Sequence, residues 1–475
     1  MQLQQLLAGV ATYGENPEIT ALVCDSRKVT AGCLFVCIDG VSVDAHRFAA
    51  DALAAGAAAV MVERDLGLAH QIRVDNTREA WALLSANWFG HPASRLNVIG
   101  ITGTNGKTST TYMLKQMLEA CGHKVGLIGT IQNLIGQRVV SSSATTPAAY
   151  ELQQLFAEMA DEGCDYVVME VSSHALHQRR VAGVTFAAGV FTNLTQDHLD
   201  YHHTMEEYCD AKKLLFAQSE CAVVQAKDAW VDRLTDGLTC PIYRFCIGEK
   251  ADFTAENLRY RPDGSNFTVC AGNRRAEVSL SMPGEFSVNN ALGAIAAAVA
   301  VGLPFDTVCE AISQVTGVNG RAEIVPTGRD FTVVVDYAHT PDGLEKICRT
   351  LQLGLRGRLI TVFGCTGDRD RTKRPIMGEI AARLSDLLVL TSDNPGSEEP
   401  MDIIEEVLPG IPDGTPMVIL PDREQAVRWA IEHAQAGDTV LLAGKGHETY
   451  QILKNRTVEL DERKIVAEVL AGKKD

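Results

Sequence analysis

VIGITGTNGKTSTTYML, residues 98–114, decides how the chain is read. An apolar run ending at Thr102 predicts a buried strand, residues 103–106 a glycine-rich turn, and Lys107 and Thr108 the opening of an amphipathic helix. Backbone N–H groups of such a turn and helix N-terminus cradle phosphate oxygens. In that setting Lys107 reaches the β- and γ-phosphates and the Thr108 hydroxyl is placed to ligate Mg²⁺. Gly103, Thr104, Asn105, Gly106, Lys107, Thr108 and Ser109 are therefore the candidate nucleotide-binding residues. The common phosphate-loop spacing asks for a glycine five positions before Gly106, and Ile101 stands there instead.

Working outward, the 475 residues exceed what one hydrophobic core serves, so several domains are expected. Residues 1–89 predict a small α/β domain, with the strand GCLFVCIDG, the helix HRFAADALAAGA and the strand AAAVMVE. Residues 90–320 alternate strands (LNVIGIT, YVVMEV, AAGVFTNL, CAVVQA) with helices, predicting a central P-loop-type ATPase domain on a parallel sheet. Residues 321–475 begin a second such pattern (FTVVVDY, LITVFG, DLLVLTS, DTVLLAG), predicting a Rossmann-like, doubly wound C-terminal domain. The fold class is thus α/β in three domains, with the chemistry expected in loops at the carboxyl ends of strands.

The bulk numbers exclude several classes. A net charge of -17 argues against a general nucleic-acid or anionic-membrane binder. No segment reaches about 18 uninterrupted apolar residues, and the N-terminus lacks a basic, then apolar, leader, so neither export nor anchoring is expected. Thirteen cysteines without CxxC pairs read as reduced core residues of a cytoplasmic protein.

Glu170, closing the strand in YVVMEVSSH, is an acid where burial is expected, which calls for a metal or a partner. Beyond the next strand, FTNLTQDHLDYHHTMEEYCDAKKLLF gathers Asn193, Asp197, His198, Asp200 and His202 in one polar stretch.

Here the match to a family becomes specific. TGTNGKT resembles the Mur ligase and folylpolyglutamate synthetase superfamily, and MEVSSH, TNLTQDHLDYH and AKKLLF resemble, in order and spacing, the central domain of UDP-N-acetylmuramoyl-tripeptide synthetases. The resemblance implies that Lys212 carries a carbamate from CO₂, turning a repelling ammonium into an anionic oxygen ligand. It implies a metal set of Thr108, Glu170, His198 and Lys212, and catalytic roles for Lys107, Lys212 and His198. The nucleotide set extends to Asn290 in GEFSVNNALG, Arg321 in GVNGRAE and Asp336 in VVDYAHTPDGLE.

The nucleotide-sugar site implied by the resemblance takes in Ser26 in CDSRKV, Thr145 and Thr146 in ATTPA, Ser172, Gln178 and Arg180, the last suited to oxyanions by its planar fork. The loops GCTGDRDRTKRP, TSDNPGSEEP and AGKGHETYQ imply an amino-acid site at Arg374, Asp393, Asn394, Pro395, Gly396, Gly444 and Glu448. One position departs. Family members that add meso-diaminopimelate typically carry DNPR, whereas this chain has DNPG, and an unpaired carboxylate in a partly buried site costs a few kcal/mol. That leaves L-lysine open beside diaminopimelate. Glu398 and Glu399 offer charge for an ammonium without deciding between the two.

The implied activity is ATP- and Mg²⁺-dependent addition of a diamino acid to UDP-N-acetylmuramoyl-L-alanyl-D-glutamate through an acyl phosphate, by a monomer serving peptidoglycan synthesis. The competing readings are another ligase of the superfamily (muramoyl-pentapeptide or folylpolyglutamate synthetase), a phosphate-loop NTPase used as a switch, and a silent paralogue that only binds.

Overall fold

The computed structural model describes residues 1–472 apart from 41–42, 143, 249 and 262–263. Three main sheets succeed one another along the chain, followed by a two-stranded hairpin of Tyr450–Leu453 with Arg456–Glu459. The first has four parallel strands, Leu22–Val23, Leu34–Val36, Ala59–Val62 and Gln71–Arg73, in chain order. The two middle strands are wholly buried, as their unbroken apolar sequence requires.

The second sheet has eleven strands. At its centre Asn97–Thr102 lies between Tyr166–Glu170 and Ala188–Phe191, all parallel. The phosphate loop, Glu170 and the TNLTQDH stretch therefore leave the sheet side by side from the same edge, which is how residues far apart in sequence meet. Antiparallel hairpins extend the sheet at both ends, Asn133–Ile135 with Arg138–Val140 and Phe253–Arg261 with Gly264–Ala271 and Arg274–Leu280. The strand pattern predicted only the parallel part, because the half-exposed alternation of Phe253–Arg261 resembles a polar loop.

The helix Lys107–Ala120 buries Thr108, Thr111, Met113, Leu114, Met117 and Leu118. It packs on Glu285–Ala300, whose alanine-rich face is buried from Ala291 to Ala298. Fully burying a leucine or methionine contributes about 1.5–3 kcal/mol, so these apolar positions fix the helix that opens at Lys107. The third sheet has six strands, with Thr332–Asp336, Thr439–Ala443, Leu359–Phe363, Leu387–Leu390 and Met417–Ile419 parallel and Glu323–Val325 antiparallel at one edge.

Among the described residues no helix is long and apolar enough to cross a membrane.

Candidate active site

The phosphate loop is shaped by what surrounds it. Gly103 and Gly106 take φ of 153° and 84°, and a Cβ at either would collide with Thr192 Oγ1 or Asn290 Oδ1 respectively. Only glycine serves at these two positions. The neighbouring strand end fastens the turn: Thr104 N donates to Asn193 O (2.9 Å), Asn105 N to Asn193 Oδ1 (3.0 Å), and Asn193 Nδ2 returns to Asn105 O (2.9 Å). Ser109 lies buried in the first helical turn. Asn290, from the packed helix, stands against Gly106 as the nucleotide set required.

Glu170 is 1% exposed, and its carboxylate accepts from Thr108 Oγ1 (3.0 Å), Thr130 Oγ1 (3.0 Å) and Thr130 N (2.9 Å). All three donors are neutral, and the charge of Lys107 acts on the carboxylate without a hydrogen bond between them. Arg321 arrives from the start of the third sheet to donate from Nη2 to Thr108 Oγ1 (3.0 Å), with its guanidinium 4.6 Å over the Tyr337 ring. Beside it, burial raises the carboxyl of Asp336, against the pull of Arg321.

Two lysines face the same turn. Lys107 Nζ donates to Gly103 O and Thr104 O, each at 2.8 Å, and Lys212 Nζ donates to Gly103 O at 3.0 Å. Lys212 is 1% exposed and lies 4.3 Å over the Tyr208 ring, although its sequence reads alone as an ordinary surface lysine. Burial lowers both amines, and lowers Lys212 well below the usual lysine range with Lys107 adding to the effect. His198 is held at φ 54°, its ring 4.9 Å from His174 and 6.1 Å from Tyr208.

The four residues expected to share a metal thus stand as two pairs, Thr108 with Glu170 and Lys212 with His198 about Tyr208. Among the described residues no three His, Cys, Asp or Glu side chains converge as a metal cage. Magnesium does not need one. It is habitually held by one or two protein oxygens together with water and substrate phosphates, and a buried carboxylate beside a hydroxyl fits that habit.

A second polar strip adjoins Glu170. Thr145 Oγ1 meets Thr130 Oγ1 (3.0 Å), Thr146 Oγ1 donates to Glu170 O (2.9 Å), and Ser172 N donates to Thr146 Oγ1 (3.0 Å). Arg180 donates from Nη1 to Thr146 O (2.9 Å) and from Nη2 to Gln178 Oε1 (2.7 Å). Five of the six nucleotide-sugar candidates are therefore contiguous. Ser26 stands apart on the first domain, opening a turn capped by Asp25.

In the third domain the carboxyl ends of Leu387–Leu390 and Thr439–Ala443 deliver Asp393, Asn394, Gly444 and Glu448 to one place. Asn394 Nδ2 donates to Glu448 Oε2 (2.9 Å), while Lys445 Nζ donates to Asn394 Oδ1 (2.8 Å) and pairs with Glu448. Gly444, at φ 112°, donates to Asp336 O (2.9 Å) and abuts Asp393.

The structure places Arg374 in a buried ion-pair network. Its side chain is 0% exposed, and its terminal nitrogens are taken by Glu398 (2.8 and 2.9 Å) and Glu406 (2.8 Å). It bolts the Thr366 and Glu398 loops together, so that its charge is met within the protein in this arrangement. Glu398 is spent in the same network, also accepting from Arg371 (2.9 Å), so it is no free ammonium partner, and Glu399 points to solvent near Lys454.

Gly396 has φ 61°, and a Cβ there would collide with the Asp368 carboxylate, which accepts from Ser397 N (2.8 Å). Pro395 packs its carbonyl against Gly367, closing the turn.

Three residues of the site escaped the sequence reading. Lys445 sits between two assigned residues of AGKGHE. Asp342 accepts from Asn105 Nδ2 (2.7 Å) and so touches the phosphate loop from the third domain. Lys373 donates to His339 O (3.0 Å). Their signal lay only in belonging to quoted loops, since a lone lysine or a first-turn aspartate also reads as a helix cap.

Comparison with known proteins agrees with this geometry. Residues 18–88 match the Mur ligase family catalytic domain, 101–298 the Mur ligase middle domain, and 320–446 the Mur ligase glutamate ligase domain. The chain is 46% identical over 469 residues to the UDP-N-acetylmuramoyl-L-alanyl-D-glutamate--2,6-diaminopimelate ligase 1 of Clostridium acetobutylicum, covering 96% of this chain and 95% of that one. A ligase of the same name, without the numeral, from Geobacillus thermodenitrificans is 45% identical over 481 residues, covering 98% of each. A solved structure of a diaminopimelate ligase of this name superposes with a TM-score of 0.73 at 30% identity over 99% of both chains. Matched along nearly its whole length in sequence and in fold, the chain belongs to the Mur ligase family of ATP-dependent, peptide-bond-forming ligases.

Proposed function

We propose that the protein joins the amino group of a diamino acid to the D-glutamyl carboxylate of UDP-N-acetylmuramoyl-L-alanyl-D-glutamate, consuming ATP. The observation that carries this is the meeting of three separately built sites: the phosphate loop, the Thr146–Arg180 strip beside Glu170, and the third domain that carries the Asp393–Glu448 loops, tied to the phosphate loop through Arg321 and Asp342.

A carboxylate resists nucleophiles because of its charge, so it must first be activated. The γ-phosphoryl group of ATP passes to a carboxylate oxygen, giving an acyl phosphate and ADP. The incoming amine then attacks the carbonyl carbon, the C–N bond forms, and phosphate leaves with the C–O bond electrons. Lys107 and the loop N–H groups hold the phosphates, Asn290, Arg321 and Asp336 bound the nucleotide, and Arg180 with Gln178, Thr145, Thr146, Ser172 and Ser26 orient the muramoyl substrate. Thr108 and Glu170 would hold Mg²⁺, which when bound offsets the phosphate charge. With its amine lowered by burial, Lys212 would take up CO₂ and shed a proton to become a carbamate, and His198 stands beside it as the further ligand. The three predicted domains, 1–89, 90–320 and 321–475, divide the substrates among them, and the same reading makes the protein a cytoplasmic monomer acting on small molecules.

For the amino acid we propose meso-diaminopimelate, the substrate in the names of the relatives. The cation that would replace the missing arginine is Arg369, exposed beside Asp368, whose carboxyl its charge helps to lower. L-lysine is a second reading, favoured by the closed glycine turn at 396. Phosphate release with Mg-ATP and the muramoyl dipeptide tests both. Turnover with diaminopimelate, lost in Arg369→Ala, is expected. Turnover with lysine alone would establish the second reading, and none with either would sink the assignment.

A further inference from the structure

Arg423 begins the helix Arg423–Glu432, where arginine ordinarily points to solvent, yet its side chain is 0% exposed. Burying a guanidinium is costly unless its donors are met. Here Nε donates to Glu462 Oε1 (2.9 Å), Nη2 to Ala443 O (2.8 Å) and Nη1 to Ser392 O (3.2 Å). Glu462, also fully buried, opens a different helix, Glu462–Leu470.

The two carbonyls are informative by position. Ser392 immediately precedes Asp393, and Ala443 immediately precedes Gly444. The fork of one guanidinium therefore spans the strand ends from which both amino-acid loops depart, and the Glu462 carboxylate fixes where the fork sits. Gln451 adds a brace on one side only, donating from Nε2 to Ser392 Oγ (2.9 Å) and Asp393 O (2.6 Å). A fold bolt alone needs no such placement. Arg358 shows this at the amino ends of Leu359–Phe363 and Thr439–Ala443, where it pairs with Asp438 (2.7 Å) at the opposite end of the sheet from the ligand loops.

We infer that Arg423, held by Glu462, is a positioning residue that sets the spacing between the Asp393 and Gly444 loops and thereby the affinity for the incoming amino acid. It rests on the amino-acid site proposed above and touches no substrate itself. Lysine offers a point charge in place of a planar fork and cannot serve both carbonyls and Glu462 together. Small misplacements of binding groups cost up to about a hundredfold in rate.

The test is steady-state kinetics on Arg423→Lys, the milder Glu462→Gln, and Arg358→Met as the control at the opposite end of the sheet. The expected result is a rise of about tenfold or more in KM for the amino acid in Arg423→Lys, a smaller rise in Glu462→Gln, and unchanged KM for ATP in both. Arg358→Met is expected to melt earlier with every KM unchanged. If Arg423→Lys does not fold, Glu462→Gln alone decides. Equal KM changes for all substrates, or none, in variants of an active wild type would overturn the spacing role while leaving the function standing. Wild-type protein with no amino-acid-dependent phosphate release would overturn both.

Discussion

The phosphate end and the amino-acid end of the site handle buried charge in opposite ways. Around the phosphate loop, Lys107 and Lys212 donate only to backbone carbonyls, and Glu170 accepts only from hydroxyls and an amide. Around the third sheet, Arg374, Arg423 and Lys445 are each matched to a carboxylate. An uncompensated buried charge costs several kcal/mol and persists only where a ligand completes it, whereas a matched pair holds scaffold in place. The first region is built to receive charge, and the second to keep its loops still while a small zwitterion is held.

The largest expected effect lies at the phosphate end. Lys107→Ala should lower kcat by about a thousandfold or more, because a preorganised charge on the transferred phosphoryl group is lost. Since the ammonium is hydrogen-bonded to carbonyls and feels Glu170 and Asp197 only through longer-range attraction, the melting temperature should change little. A variant that melts earlier yet still turns over would reverse the contrast between the two regions.

Arg374→Met should do the converse. Removing it takes the buried cation from Glu398 and Glu406, which keep only the exposed Arg371, and costs about 1–3 kcal/mol in the third domain, read by urea unfolding. Retained stability would mean that the network is not what joins the two loops.

The smallest effect concerns acid. Hydrogen bonding to Arg374 pulls Glu398 down to about 2 from an ordinary value of 4.5. Because the folded value is depressed, the associated stability is present above about pH 4.5 and is lost as the pH falls toward 2. Thermal melts across that window should show wild-type protein losing more than Glu398→Gln. Parallel curves would mean that the carboxylate titrates alike in the folded and unfolded chain.

Much of this was legible beforehand for a physical reason. The phosphate loop, Glu170 and Asn193 are read from strand-to-loop junctions, and a parallel sheet brings such junctions to one edge. Lys212 was found only through the motif around it, since nothing in a helical lysine announces a 1% exposed amine. Sequence offers Arg374 as a cation without saying which acids it meets. Arg423 was not singled out, because burial of a helix-opening arginine is settled by two other elements. The hairpins at residues 133–140 and 253–280 were missed because they add edges to the sheet and leave its core pattern unchanged.

The Thr108 hydroxyl has one proton and two lone pairs. The proton goes to Glu170, and one lone pair takes the N–H of Arg321 from the third domain. One electron pair is left on an oxygen that already joins two domains. A shift of the third domain must break or remake a bond at this atom, so its position is felt at Glu170 through a single oxygen, with no moving segment in between.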